Sequence, residues 1–578
     1  MACRRSQVRS LSGPPFETIR TRRKAGFLLC TFAQSAGAFR SVKSAGGRFA
    51  VRVRAAIKKR RKAGFLLYTF AQSAGAFWRA RRGIFTRCGG SRCAALAGAF
   101  RSVKSGKSVC ACNLPIKAAA VFLYTLYMVR KIFQDKFLLY LTLAVLLLRV
   151  GLFFYVVACN PLGSDFLHFP DSLYYTAPAQ TLLTSGQLTD PYSLAPLTFR
   201  TPGYPVFLAL IYAVSGQSAW AVVFVQILLI TALVPLVYHS AAVFLSKTAA
   251  RAAGVLCAFS TVLAAYAFAL LSDVLFAFLL TVFLFFALCY IKSGKWPRLL
   301  AASLFLTAAI FVRPVAYNWL YLGAVLVGLK TYRQGLRQCV CALLVFCLPI
   351  LACTGAWQWR NYRQAGYAGF HSSAAYNLYF WNLDAVGHAR GLNAQGGEQL
   401  LHQALPAGFW QFSPTQKDEW LLAHAKPMLR KFWPYKLAHA PYWLAKTLLG
   451  GSYTQISRII RGTPPLSQAE FDYQLNKTTA LPTQHLRTGA DYLLLGLCGA
   501  QTLLTALLAG LGAVILWINK RRAETVFLGL FAGYFWAVSS VFFGAGGRYR
   551  LPFETTLCLL GGAGLAWLCS KLRPRLNR

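Results

Sequence analysis

From residue 137 onward the chain alternates long apolar runs with short polar breaks, without the two-residue alternation that marks a half-buried strand. A helix needs about 20 apolar residues to cross a hydrocarbon core of about 30 Å. Runs near 137–158, 219–243, 252–271, 274–291, 299–312, 316–329, 338–356, 491–517, 525–543 and 551–569 therefore predict crossings, the fifth and sixth being short. Lysine and arginine gather in every second connection: Arg130, Lys131 and Lys136; Lys247 and Arg251; Lys292, Lys295 and Arg298; Lys330, Arg333 and Arg337; Lys520, Arg521 and Arg522; and Lys571, Arg573, Arg575 and Arg578. Short basic loops stay cytoplasmic. Both ends of this region are thus expected inside, with the loops at 159–218 and 357–490 outside.

The run from Gly203 to Val214 would upset this parity as a full crossing. It is short and follows Pro202, so it predicts a juxtamembrane or re-entrant helix against the bundle. The outer stretch at 357–490 is too long for a connector and predicts a partly helical domain. Its segment DEWLLAHAKPMLRKFWPYKLAHAPYWLAKTLLGG mixes Trp and Tyr with Lys and Arg, as helices at the headgroup level do. The expected fold class is an α-helical polytopic membrane protein with about 10–12 transmembrane helices. Its parts are an N-terminal transmembrane catalytic module at 128–356, the outer domain at 357–490, and C-terminal helices with a basic cytoplasmic tail at 491–578.

Composition agrees: 56% of the 578 residues are hydrophobic and 13% charged, which excludes an ordinary soluble enzyme. The net charge of +47 first suggests nucleic acid, but its distribution changes that reading. Residues 1–127 hold 26 Lys and Arg and a single acid, Glu17. There KAGFLLCTFAQSAGAF at 24–39 returns at 62–77 with one change, Cys30 to Tyr68, and AGAFRSVKS occurs at 36–44 and 97–105. Such near-identical, irregularly spaced copies do not build a solenoid core. They predict duplicated DNA ahead of a true start at Met128, which directly precedes VRKIFQDK and the first apolar run. A cationic membrane-surface or nucleic-acid arm and a targeting peptide are the other readings of this segment. No nucleic-acid partner is expected for the membrane region.

Ten of the 16 cysteines lie in or near the predicted spans and none in the outer domain, so no disulfide-stapled ectodomain is expected. No CxxC, HExxH or nucleotide-binding glycine motif marks a metal or ATP site.

Carboxylates are few after residue 128, and near a bilayer each needs a reason. Asp171, in FPDSLYYTAPAQTLL, suits either a helix N-cap or a base; Asp273, in ALLSDVLFAFLL, is predicted on the same outer face. The outer arginines run against the positive-inside tendency: Arg200 in FRTPGYP, Arg313 in FVRPVAYNW, Arg360 and Arg363 in WRNYRQAGY, and Arg548 and Arg550 in GGRYRLP. Guanidinium groups bind phosphate in a bidentate manner, so these residues suggest an anionic ligand, with lipid-headgroup anchoring as the alternative.

Taken in order, DSLYYTAPAQTLL, FRTPGYPVFLALIYAVSG, LLSDVLFAFLLTVFLF, FVRPV, WQWRNY and GRYRLPFETTLCLLGGAGLAWL resemble glycosyltransferase family 39 and its dolichyl-phosphate-mannose and lipid A aminoarabinose transferase relatives. The resemblance covers residues 128–578 and implies the membrane C-type glycosyltransferase fold. It also implies transfer of a hexosyl or pentosyl group from a polyprenyl-phosphate donor to an extracytoplasmic lipid, glycan or protein, in a bacterial plasma membrane. Asp171 and Asp273 would be the catalytic acids, Arg200, Arg360, Arg548 and Arg550 the donor-phosphate contacts, and Tyr174, Tyr175 and Arg313 the remaining substrate contacts. Protein O-mannosyltransferases carry paired acids in the first loop, whereas Asp171 is followed by Ser172, which counts against protein mannosylation. No cofactor is required, though a divalent cation between Asp171 and Asp273 stays open. A transporter or flippase of lipid-linked sugars is the competing function, and other membrane polymer enzymes are a third.

Overall fold

The computed structural model describes residues 134–160, 163–192, 195–461, 489–542 and 546–576. The basic repeats and Met128 lie outside the described residues, as does the end of the outer loop at 462–488.

Among the described residues the chain is helical, with one isolated antiparallel bridge, Thr189 to Pro196. The helices in order are α1 (Lys136–Cys159), α2 (Leu173–Ser185), α3 (Gly203–Ser215), α4 (Ala219–Ala242), α5 (Lys247–Ala258), α6 (Thr261–Tyr266), α7 (Asp273–Ser293), α8 (Trp296–Val312), α9 (Trp319–Thr331) and α10 (Leu336–Ala365). The stretch expected to form the outer domain holds α11 (Ser373–Phe380), α12 (Leu383–His388), α13 (Ala394–Gln403), α14 (Pro414–Leu449) and α15 (Tyr453–Arg461). The C-terminal part holds α16 (Gly489–Ile518), α17 (Arg522–Phe542) and α18 (Leu551–Leu576).

Each of the ten apolar runs carries a helix. Seven helical stretches, those of α1, α4, α7, α10, α16, α17 and Gly547–Leu572, are long and apolar enough to cross a membrane. The protein is therefore an integral membrane protein. The other three runs yield shorter elements for local reasons. The run at 252–271 is split, because Ser260 takes extended backbone angles and caps α6 by accepting a hydrogen bond from the Leu263 amide. Arg313 and the Pro314–Asn318 turn separate α8 from α9.

Close helix packing rests on small residues, as expected where lipid supplies no hydrophobic drive between helices. A Cβ on Gly512 of α16 would lie 1.8 Å from the Leu560 carbonyl oxygen of α18, and one on Gly562 would lie 2.6 Å from the Ala249 carbonyl oxygen of α5. At the other end, Asp135 caps α1 through the Phe137 amide, pairs with Arg251 at 2.9 Å and accepts from Tyr238 at 2.9 Å. Arg251, read from sequence as an orientation marker, is thus also a tie between α1 and α5.

Helix α3 buries Tyr204, Leu208 and Ala209 and leaves Leu210 and Val214 exposed, a one-sided helix laid on the bundle. The outer domain has a small core of its own around Tyr379, Phe380, Phe409, Leu421 and Ala425. Its long helix α14 is held by protein at both ends. Leu421 and Ala425 join the outer core, while the Leu444 carbonyl accepts from Trp536 Nε1 at 2.9 Å and the Leu448 carbonyl accepts from Arg550. Between these anchors Trp433, Leu437 and Tyr442 remain exposed.

Candidate functional site

Three chain segments meet at one end of the bundle, and each is positioned by a local device. The first is the turn Pro170–Ser172. Ser172 is buried, accepts a hydrogen bond from the Phe169 amide at 2.8 Å and donates to the Leu270 carbonyl at 2.9 Å. The Leu270 amide in turn donates to the Leu167 carbonyl at 3.0 Å. These bonds fasten the loop after α1 to the turn that precedes Asp273. Gln226, fully buried in α4, holds the same turn by donating to the Ala267 and Ala269 carbonyls at 3.0 and 2.9 Å. Ser172, the residue after Asp171, therefore has a structural use: it ties the Asp171 turn to the turn that precedes Asp273.

The second segment is FRTPGYP. A Cβ on Gly203 would sit 2.5 Å from the Phe311 carbonyl oxygen, a backbone clash that no rotamer relieves, so only glycine lets α3 approach the end of α8. Thr201 reaches the Val312 carbonyl there, and Arg200 and Arg313 arrive on one side. The third is GGRYR. Gly547 abuts Gly450 and Gly451, where a Cβ would lie 2.7 Å from the Gly451 carbonyl oxygen, and this contact seats Arg548.

The result is a chain of alternating charges. Arg200 Nη2 donates to Asp171 Oδ1 at 2.8 Å. Arg548 donates to Asp171 Oδ2 at 3.3 Å and, through Nε, to Asp273 Oδ2 at 3.1 Å. Arg313 closes the chain on Asp273 Oδ1. Three guanidinium groups thus share two carboxylates, one positive charge in excess. Beside them lies a cavity lined by Asp171, Tyr175, Arg200, Thr201, Val312, Arg313, Pro314 and Ser373. Burial alone would raise the Asp171 carboxyl, but Arg200, then Arg548 and Arg313, outweigh it and hold it below the usual carboxylate range. The capping role considered for Asp171 does not occur: among the described residues its oxygens meet arginines and no helix amide.

Other expected residues fall nearby or elsewhere. Tyr175 is buried on the cavity wall with its ring edge-on to Tyr204, while Tyr174 packs on Phe199 and faces the Arg200 guanidinium at 5.5 Å. Arg360 and Arg550 are corrections. WQWRNY is the last part of α10, not loop, and there Arg360 lies over the Trp357 ring and donates to the Leu197 and Leu188 carbonyls at 2.7 and 3.2 Å. It clamps the loop that leads to Arg200. Arg550 is fully buried, paired with Glu554 and bonded to the Leu448 carbonyl, with no surface for a ligand.

His371 and Ser373 were not anticipated. His371 Nδ1 lies 2.9 Å from Ser373 Oγ, and burial, with the Arg200 charge, pushes its imidazole down to about 4. Nothing around a lone histidine in AGFHSSAAY marks it in sequence; the Ser372 amide, bonded to the Thr198 carbonyl at 2.9 Å, brings it in.

A divalent cation fits poorly. Both carboxylates are already met by guanidinium groups, and among the described residues no group of three or more His, Cys, Asp or Glu side chains is placed to hold one.

Residues 199–359 match the model of the family described as dolichyl-phosphate-mannose-protein mannosyltransferase. Over this segment the chain is similar to that family. The resemblance read from the motifs therefore reappears at the level of a family match, one that contains Arg200, Asp273 and Arg313 and stops short of Arg360 and Arg548. Comparison with curated protein sequences gives no match. Among solved structures, the oligosaccharyltransferase of Archaeoglobus fulgidus in the apo form is 13% identical, over 77% of this chain and 52% of that one, with a TM-score of 0.43. ArnT from Cupriavidus metallidurans bound to undecaprenyl phosphate is 14% identical, over 74% of this chain and 79% of that one, with a TM-score of 0.30. The chain spans about half the length of the archaeal enzyme it matches. Likeness of this degree carries no argument about substrate.

Proposed function

We propose that the protein transfers a sugar from a polyprenyl-phosphate donor to an acceptor on the outer side of a bacterial plasma membrane, with inversion at the anomeric carbon. The observation that carries this reading is the cationic excess built around Asp171 and Asp273 at a cavity at one end of the bundle. Three arginines on two acids favour an arriving phosphate, while a carboxylate at the same place suits an acceptor hydroxyl. The mannosyltransferase family match over 199–359 points the same way.

In the resting arrangement Asp171 is a weak base, because Arg200 and Arg548 stabilise its charge. A donor phosphate attracts the same guanidiniums and loosens their hold on Asp171, so donor binding itself raises the basicity of the carboxylate. The acceptor oxygen then attacks the anomeric carbon and its proton passes to Asp171. The bond from that carbon to the phosphate oxygen breaks, and its electron pair leaves with the phosphate. A phosphodiester of one negative charge becomes a monoester of up to two, and Arg200, Arg313 and Arg548 are placed to stabilise the increase. The leaving group needs no general acid, and no step requires a metal.

The test compares purified parent and Asp171→Asn in transfer from a polyprenyl-phosphate sugar. Asn preserves size, so turnover should fall by roughly 10²-fold or more with donor binding largely retained. Near-parental turnover would remove Asp171 from the mechanism. Donor crossing liposome membranes without any sugar transfer would favour the flippase reading.

A further inference from the structure

Arg458 lies on α15, a short outer-domain helix that touches α1, α6, α16 and the Asp165–Leu167 turn. Its guanidinium carbon lies 4.3 Å from the centre of the Phe169 ring. Two of its nitrogens, Nε and Nη2, are buried and have no hydrogen-bond partner among the described residues. That sets it apart from the other enclosed arginines. Arg149 donates to the Ala258 carbonyl, Arg360 to two carbonyls, and Arg550 to Glu554 and a carbonyl. Burial without an acceptor lowers even the Arg458 guanidinium, to about 10. Guanidinium nitrogens taken out of water without an acceptor cost stability, and an arriving anion would recover that cost.

Its surroundings tell what that is. Phe169 stands two residues before Asp171, and its amide donates to the Ser172 hydroxyl. Tyr266 is within electrostatic reach of Arg458 and also of Arg548 and Asp273. The unpaired cation is thus linked to the site through Tyr266, which both it and Arg548 reach. In the cluster three guanidiniums are largely neutralised by two carboxylates, enough for a phosphodiester, whereas the product monoester carries more charge.

We propose that Arg458 is a donor-side phosphate residue that binds the lipid-linked phosphate most strongly after the sugar has left. This inference rests on the transferase reading above. The ligand chemistry is a phosphate monoester on an apolar chain; the aromatic face of Phe169 suits the chain and Arg458 the charge.

The test uses the full chain in detergent, with Arg458→Gln and Arg458→Lys beside the parent. Binding of a short polyprenyl phosphate should weaken about 10- to 100-fold in the Gln variant and recover in part with Lys, as expected for loss of one charge-assisted contact. Turnover should fall more than the KM for donor rises. The ligand-free Gln variant should melt at the same temperature as the parent or higher, since a desolvated charge has been removed; a structural residue would give the opposite. Unchanged polyprenyl-phosphate binding in the Gln variant, or a lower melting temperature with binding intact, would overturn the proposal. Equal stabilisation of the parent by inorganic phosphate, or by phosphatidylglycerol in place of phosphatidylcholine, would overturn the assignment to a lipid-carrier phosphate. If only this inference is wrong, Asp171→Asn still lowers transfer by roughly 10²-fold or more while Arg458→Gln behaves as the parent. If the parent neither binds polyprenyl phosphate nor transfers sugar, the transferase reading itself fails.

Discussion

Arg548 and Arg550 stand two residues apart in GRYR, yet they belong to different parts of the protein's economy. Arg548 joins a half-open cluster in which three guanidiniums share two carboxylates beside a cavity. Arg550 is wholly buried against a single acid, Glu554, whose other oxygen accepts from Ser260 Oγ at 2.7 Å. The short 3-10 turn at Gly547–Arg550 sends the two side chains apart. An unbalanced, accessible cluster can accept a further anion; a balanced, sealed pair can only hold helices together. Charge ratio and access, not the type of residue, separate the two.

The comparison can be broken most severely at the sealed pair. Glu554→Gln leaves Arg550 buried and unpaired, and should cost about 3–5 kcal/mol, read as a large drop in melting temperature in detergent. The double variant Arg550→Met with Glu554→Leu should regain most of that loss. At the open cluster the effect should fall on turnover instead. Arg548→Ala leaves Asp171 with Arg200 and Asp273 with Arg313, so melting should change little while sugar transfer falls by roughly 10²-fold. Similar melting losses for Arg548→Ala and Glu554→Gln would erase the distinction.

A smaller effect is expected at Arg360, which touches the site only through the loop it clamps. Arg360→Ala should reduce transfer about tenfold, with the change mainly in kcat/KM, since a charge-assisted tie is lost rather than a reacting group. The smallest effect concerns the outer domain. Burial raises the Asp418 carboxyl to about 6 despite the hydrogen bond it accepts from Tyr367 at 2.6 Å. Because the folded state holds this proton more tightly than the unfolded chain, stability should decline as pH rises from about 4 to 6 and level off above. Asp418→Asn should remove that decline in melting temperature, and an unchanged pH profile would dissociate it from Asp418.

Apolar run length determined the helices, because a segment that must satisfy its backbone within lipid has little choice but to coil. The scarcity of acids and the outward arginines likewise made Asp171, Asp273, Arg200, Arg313 and Arg548 legible as a group from composition and loop position. What sequence could not decide was which arginine meets which acid. Arg360 and Arg550 look like Arg200 and Arg548 in their motifs, and only packing reveals that the first answers loop carbonyls and the second a glutamate four residues on. Arg458, in the unremarkable stretch SRIIRG, became visible only once its lack of a partner was seen. The physical reason is range. Helix formation and membrane insertion depend on the neighbours along the chain, whereas pairing, burial and vacancy of a guanidinium depend on groups tens to hundreds of residues away, brought together by contacts such as Gly203 on Phe311 and Ser172 on Leu270.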